Sequence, residues 1–323
     1  MTIAPESRMD APPAVAIFSP DPLLSITIEH DAGTDDIHLH PAGQGVWVAR
    51  MAAELGSLPE LCGLAGGEAG IVLAPLLAAA GCVWRPTAAA GGTGSYVVDR
   101  RGGEREVIAA ALRPAPHRHE VDDLVSNAVT SALAARVLVV CNPYPPQPFP
   151  IDAYSTLVGD VREAGVPIVV DLSTPWLDAT LPHRPDLVKI NDWELAEYIR
   201  GPVDGPRALT AVERLLSAGA RAVAITRAGD PILVATETEP PYEIVPPRFP
   251  AGHREGCGDS MTGAVAAALA RELPLRDALM LGAAAGSANF LRHGLGTGRR
   301  ATVEELRDRV IARALDPALR RRD

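Results

Sequence analysis

A chain of 323 residues can bury a large core, and 47 % apolar with 22 % charged residues is ordinary globular composition. The net charge of −10 argues against nucleic acid or an anionic membrane as the main partner. No apolar run approaches the roughly 20 residues that span a bilayer, and Met1 to Pro13 holds no apolar leader core. The four cysteines, Cys62, Cys82, Cys141 and Cys257, form no C-x-x-C pair, so the expectation is a reducing, cytoplasmic setting without disulfides or zinc.

Strand-like and helix-like segments alternate along the chain. Val15 to Ser19 and Ile26 to Glu29 read as strands, Val46 to Leu55 and Glu68 to Ala80 as helices. Tyr96 to Asp99 and Glu106 to Ala110 predict a hairpin about Arg101-Gly102-Gly103. Then come helix Val121 to Ala134, strand Val137 to Cys141, helix Tyr154 to Ala164 and strand Pro167 to Asp171. Strand Leu187 to Ile190, helices Asp192 to Ile199 and Ala208 to Ala218, and strand Ala222 to Thr226 follow. Ile232 to Thr236 and Tyr242 to Val245 predict an antiparallel pair, and helices Ser260 to Glu272 and Leu275 to His293 close the core. Continuous apolar strands between helices predict an α/β fold, a doubly wound, mostly parallel sheet covered on both faces. The more alternating stretches near 26–40 and 92–112 predict a small β lid on a single domain over 14–313, with tails at 1–13 and 314–323.

Gly256-Cys257-Gly258-Asp259-Ser260 carries the strongest chemical signal. Glycines flanking one residue let backbone N–H groups converge where a helix begins, which favours an anion, and Asp259 stands beside that point. The same residues would also serve as a plain N-cap. Asn191 and Glu194 follow an apolar strand at its carboxyl end, where ligands collect in such sheets. Their spacing suits a metal-bound water or phosphate oxygen, and equally a capping box. Gly43-Gln44-Gly45 resembles a dinucleotide turn only weakly, since His40-Pro41 is no apolar strand end. The pairs His38/His40 and His117/His119 lack a third ligand and read as solvated.

In order and spacing these segments resemble the PfkB, ribokinase-like family of sugar kinases, nearest its 1-phosphofructokinase and tagatose-6-phosphate kinase branch. The resemblance runs from Phe18 to Thr297. It rests on Ser19 to Leu24, on Gly43 to Arg50, on Lys189-Ile190-Asn191-Asp192-Trp193-Glu194, and above all on Gly256-Cys257-Gly258-Asp259. The resemblance implies a kinase dependent on ATP and Mg²⁺. In it Asp259 is the base, and Gly256, Cys257 and Gly258 form the anion hole for the γ-phosphoryl group. It implies that Asn191 and Glu194 orient Mg²⁺ through water and that Lys189 approaches the nucleotide phosphates. Thr226, Arg227, Gly229 and Asn289 would wall the adenosine pocket. Ser25, Gly43, Gln44 and Asn142 would meet a sugar-like substrate, and the lid would pair two copies into a homodimer.

Departures gather in the acceptor pocket. Ser25 stands where the family has an aspartate, Gln44 replaces lysine or glycine, and Trp47 replaces asparagine. The segment that grips a sugar phosphate falls on Gly91-Gly92-Thr93-Gly94, which has no cation, leaving Arg85 or Arg113 as stand-ins. A second loop of the family falls on Cys141 to Gln147, and Ala228 and Pro231 replace glycines of the nucleotide turn. Two other readings compete: a catalytically weak metabolite-binding regulator of kinase descent, and a nicotinamide dehydrogenase built on Gly43-Gln44-Gly45.

Overall fold

Strand β1 (Ala14–Phe18) sends Val15 and Ile17 into one hydrophobic cluster and Ala16 and Phe18 into another, each no more than 1 % exposed. A strand buried on both faces must be apolar throughout, and this two-sided burial explains the unbroken runs seen in the sequence. The computed structural model describes residues 12–31, 33–143, 149–203, 205–292 and 294–315. The sequence-predicted tails, but for Pro12, Pro13, Ala314 and Leu315, and the Tyr144 to Gln147 half of the second acceptor loop lie outside those residues.

After β1 come the lid strands β2 (Leu23–Asp31) and β3 (Thr34–Ala42), then helix α1 (Gln44–Glu54), β4 (Leu58–Ala65), α2 (Gly67–Ala79) and β5 (Val83–Ala88). The chain returns to the lid with β6 (Ser95–Asp99) and β7 (Glu106–Ala111). It then alternates through α3 (Arg118–Ala134), β8 (Val137–Cys141), α4 (Ile151–Glu163), β9 (Ile168–Asp171), α5 (Trp176–Thr180) and β10 (Leu187–Asn191). Helices α6 (Asp192–Ile199) and α7 (Gly205–Ala218) lead to β11 (Ala222–Arg227), β12 (Asp230–Thr236) and β13 (Tyr242–Val245). Helices α8 (Cys257–Leu269), α9 (Leu275–Phe290) and α10 (Arg300–Arg307) precede β14 (Ile311–Ala314).

The main sheet has ten strands in the order β14-β13-β12-β11-β10-β9-β8-β1-β4-β5, parallel from β11 to β5 and antiparallel beyond. From β1 the chain winds outward to β4 and β5, then restarts on the other side at β8. The carboxyl ends of β1 and β8 therefore flank the switch point where such sheets bind ligands. The lid is a separate four-stranded sheet, β3-β2-β6-β7, and the predicted hairpin pairs Ser95 to Asp99 with Glu106 to Ala111.

Helix α8 approaches α1 closely because both present small residues. A Cβ at Gly263 would stand 2.3 Å from the Val48 carbonyl oxygen, so only glycine permits this contact. The helix begins at Cys257, three residues before the predicted Ser260, because Gly256 adopts φ 74° as its N-cap. Likewise α3 starts at Arg118, where Glu120 accepts the His117 amide at 2.7 Å. Strands β4, β5 and β14 and helix α10 escape the hydrophobic pattern. In β4 and β5 prolines and charged residues interrupt the apolar run, and β5 and β14 lie at exposed sheet edges. Gly43 follows a strand after all, but β3 is a lid strand largely exposed to solvent, so its end carries no apolar signal.

Candidate active site

The carboxyl ends of β1, β8, β9 and β10 and the first turn of α8 surround a cavity of about 320 Å³. Of the sequence-nominated residues, Gly43, Gln44, Asn142, Lys189, Asn191, Glu194, Gly258 and Asp259 all line it, beside Asp21, Trp47 and Asp171. Asp171 has no precedent in the motifs above, yet it organises the floor. Lys189 Nζ donates to both of its carboxylate oxygens at 3.1 Å, and Thr262 Oγ1 donates to Oδ2 at 2.6 Å. A lone carboxylate ending the apolar strand Ile168-Val169-Val170 was the available signal.

Burial raises the Asp259 pKa to about 7; the Asp171 and Glu194 carboxylates add to the rise and Lys189 opposes it. One face of Asp259 still meets the cleft, so the carboxyl is enclosed by protein yet reachable from solvent. Burial also raises the Glu194 pKa, partly countered by Lys189. Burial opposes the Lys189 charge, but the Asp171, Glu194 and Asp259 carboxylates overcome it, so this ammonium stays protonated. One lysine thus faces three carboxylates.

Asn191 and Glu194 form the capping box that their spacing allowed. Asn191 Oδ1 accepts the Glu194 amide at 2.9 Å, and Glu194 Oε2 accepts the Asn191 amide at 3.0 Å. The box leaves Glu194 Oε1 and Asn191 Nδ2 uncommitted to capping. An oxygen-rich floor with a carboxylate at its edge suits Mg²⁺, which keeps several waters. No cluster of three or more acidic, histidine or cysteine side chains able to hold a metal occurs among the described residues. Asn191 and Glu194 would reach such an ion through its waters.

At the anion turn, the Cys257 amide bonds the Arg254 carbonyl at 3.3 Å, leaving Gly258 and Asp259 as the next leading amides of α8. Lys189 lies directly beneath: a Cβ at Gly258 would come within 2.7 Å of Nζ. The lysine expected to reach the nucleotide phosphates is instead buried under the turn, its charge shared with Asp171.

Several expected contacts fall elsewhere. Asn289 is fully buried and clamps the anion turn, donating to the Glu255 carbonyl at 2.8 Å and accepting from the Thr297 amide at 3.3 Å. Its side chain is thus spent inside the protein and does not face an adenosine. Arg227 turns away from the cleft to the Pro231 carbonyl and Glu243, drawn by that buried carboxylate. Thr226 pairs with Asn191 across β10 and β11, and Gly229 is exposed at the following turn. Gln44 and Asn142 reach the cavity but are tethered: Gln44 bridges the Asp171 carbonyl and the Asn142 amide, and Asn142 accepts from Ser173. Ser25 lines a neighbouring cavity under the lid.

Neither proposed cation stand-in serves. Arg85 pairs with Glu60 on the outer strands. Arg113 is buried against Asp21, its Nε donating to Oδ1 at 2.7 Å, and the burial of this pair on loops 92 residues apart in sequence made it invisible to spacing. Arg113→Met should cost about 3–5 kcal/mol in urea unfolding, because it strips a buried carboxylate of its arginine. A loss below 1 kcal/mol would contradict that reading.

This architecture is the ribokinase-like fold. A family model described as "pfkB family carbohydrate kinase" matches residues 28–301, and the chain belongs to that family. It is 26 % identical over 259 residues to a 1-phosphofructokinase of Bacillus subtilis, covering 80 % of this chain and 84 % of the relative. It is 27 % identical over 260 residues to the ATP-dependent 6-phosphofructokinase isozyme 2 of Escherichia coli, covering 79 % and 82 %. The crystal structure of Escherichia coli phosphofructokinase-2 in complex with potassium superposes with a TM-score of 0.81 at 23 % identity, covering 92 % and 99 %. The protein is thus a sugar kinase.

Proposed function

We propose that this kinase transfers the γ-phosphoryl group of ATP to a hydroxyl of a sugar, a sugar phosphate or a related small polyol. Asp259 takes the hydroxyl proton as the oxygen attacks; within the Gly256 to Gly258 turn the Cys257 amide is given to the Arg254 carbonyl, so the amides of Gly258 and Asp259 receive the charge on the transferring group. A buried carboxyl with its pKa near the working pH is matched to a general base. That carboxyl, lining the cleft at the head of a helix whose Gly258 and Asp259 amides are left open, is the observation that carries the reading. Phosphoryl transfer asks mainly for positioning and charge stabilisation, which such a cradle supplies.

Mg²⁺, when bound, neutralises the nucleotide phosphates; Glu194 and Asn191 would hold its waters. Lys189 contributes from below, pairing with Asp171 and keeping the Asp259 pKa from climbing further. The lid excludes water when acceptor is bound. Of the four residues expected to wall the adenosine pocket, Thr226 and Gly229 remain the candidates for that contact, with Arg227 and Asn289 engaged elsewhere. The name of the Escherichia coli relative supports ATP as donor.

The lid face bearing Ile37 and Leu39 is 59 % and 43 % exposed at those residues, and a second copy of the chain would cover it, consistent with the tendency of sheet edges to be paired. No helix among the described residues is long and apolar enough to cross a membrane. A reducing cytoplasm, where Cys257 at the anion turn stays a thiol, suits the site.

Calorimetric titration with Mg·ATP, followed by an ADP-release screen of sugars and sugar phosphates, tests the reading. Saturable ATP binding and acceptor-dependent ADP release are expected. ATP binding without release on any acceptor would favour the regulator alternative.

A further inference from the structure

A second cavity of about 290 Å³ lies between the inner face of the lid, α1 and residues 294–297, and Trp47 is the one residue it shares with the catalytic cavity. Three arginines line it: Arg50 from α1, Arg100 directly after β6 and Arg105 from the lid hairpin. Glu29 is the single carboxylate among the lining residues.

Arg50 is half-buried, and neither its guanidinium nor that of Arg100 makes a hydrogen bond or ion pair with a described residue. Burial pulls the Arg50 pKa down. Desolvation lowers the His40 pKa, and the charges of Arg50, His38 and Arg100 lower it further against Glu29. Two unpartnered guanidinium charges therefore act on one part of the wall. Arg105 is held loosely, 3.7 Å from Glu255 and 5.7 Å from the Tyr96 ring centroid, and can turn inward.

The lid adds hydroxyls to the same space. Ser25 and Thr27 alternate on one face of β2, line the cavity and are only 6 % and 8 % exposed. Their hydroxyls make no hydrogen bond with a described residue. A buried hydroxyl and a desolvated cation are both destabilising when left without a partner. A multivalent oxyanion satisfies them together. Its oxygens accept from hydroxyls and guanidinium forks alike, and its charge answers three arginines set against one glutamate.

The cavity also touches the back of the anion turn. A Cβ on Gly256 would meet Leu295 of the cavity wall at 3.2 Å. The Thr297 amide donates to Asn289, which in turn holds the Glu255 carbonyl. An anion bridging lid and α1 would thus fix the lid against the segment that supports that turn.

We propose that Arg50, Arg100 and Arg105, with Ser25 and Thr27, form a second anion site that takes a small multivalent oxyanion from solution, a phosphate or a polycarboxylate, and so steadies the lid. This ligand is separate from both acceptor and nucleotide. The inference goes beyond the kinase reading and does not depend on it.

Calorimetry on the full chain at constant ionic strength tests it, with inorganic phosphate, citrate and acetate as probes, each with and without saturating Mg·ADP. Phosphate, citrate or both should bind at a site that Mg·ADP does not occupy, and which of them binds identifies the source. Acetate should bind at least about tenfold more weakly, since further hydrogen bonds to charged groups contribute that much. Arg100→Gln, and Arg50→Met, which keeps the apolar stem, should each weaken binding by about tenfold or more. Arg100→Gln serves as the deciding variant if Arg50→Met fails to fold. In thermal unfolding the anion should raise the wild-type midpoint and leave that of Arg100→Gln nearly unmoved.

Failure of both phosphate and citrate to bind would overturn the proposal, as would acetate binding equally well or unchanged affinity in Arg100→Gln. Displacement of the anion by Mg·ADP would also overturn it, placing the anion at the head of α8. Arginine-dependent anion binding in a protein that binds no Mg·ADP would uphold this site and contradict the kinase reading instead.

Discussion

Asp259→Asn should lower kcat by about 10²–10⁴, the range that loss of a positioned base commonly costs, while making the protein more stable. The second half of this result follows from linkage. The folded carboxyl has its pKa raised to about 7, above the ordinary value of 3.8. The stability it contributes is fully present below about pH 4 and is lost as pH rises through 7. At pH 8 the wild type carries the whole penalty, at most roughly 4 kcal/mol at 1.36 kcal/mol per unit, reduced by the face that meets the cleft. Asn cannot ionise, so the variant should melt several degrees above wild type at pH 8 and above it by less than half that margin at pH 5. Wild-type kcat/KM should rise with pH and level above about 7. Thermal unfolding at the two pH values and a pH–rate profile check these expectations. A variant that loses activity and stability together would indicate a structural role for the carboxylate.

Lys189→Met should be the most damaging single change to the fold of the site. Among the described residues the ammonium is the one cation acting on Glu194 and Asp259, and it donates to both oxygens of Asp171. Removing one partner of a buried pair costs about 3–5 kcal/mol, and here two further carboxylates lose their nearest positive charge. The loss should be greatest above pH 7, where Asp259 is ionised, and smaller at pH 5. Surviving enzyme should show its acid limb displaced to higher pH, since Lys189 is what holds the Asp259 pKa down. Urea unfolding at both pH values, with the pH–rate profile, reads both effects. An unshifted acid limb would place the Asp259 titration under some other control.

The parallel sheet was legible because strands such as Val137 to Cys141 are apolar on both faces, a pattern that periodicity detects without tertiary knowledge. The anion turn was legible because Gly256 answers a local demand, a positive φ at the N-cap of α8. Asp171 was not, because its importance arises from Lys189 and Thr262, 18 and 91 residues away in sequence. The Asp21–Arg113 pair joins residues 92 apart. Asn289 shows the reverse error. Its position suggested a ligand contact, whereas its amide is consumed in holding the turn. Long-range pairing of polar groups is what local pattern does not carry.

The central claim, that a carboxylate at 259 deprotonates an alcohol under the amides of α8, is most directly tested by phosphorus NMR of ATP, Mg²⁺ and a hexose or hexose monophosphate acceptor with purified protein. A new phosphomonoester signal growing in step with ADP, and missing with Asp259→Asn, is the predicted result. ADP accompanied only by inorganic phosphate, or a phosphomonoester formed equally fast by the variant, would contradict it.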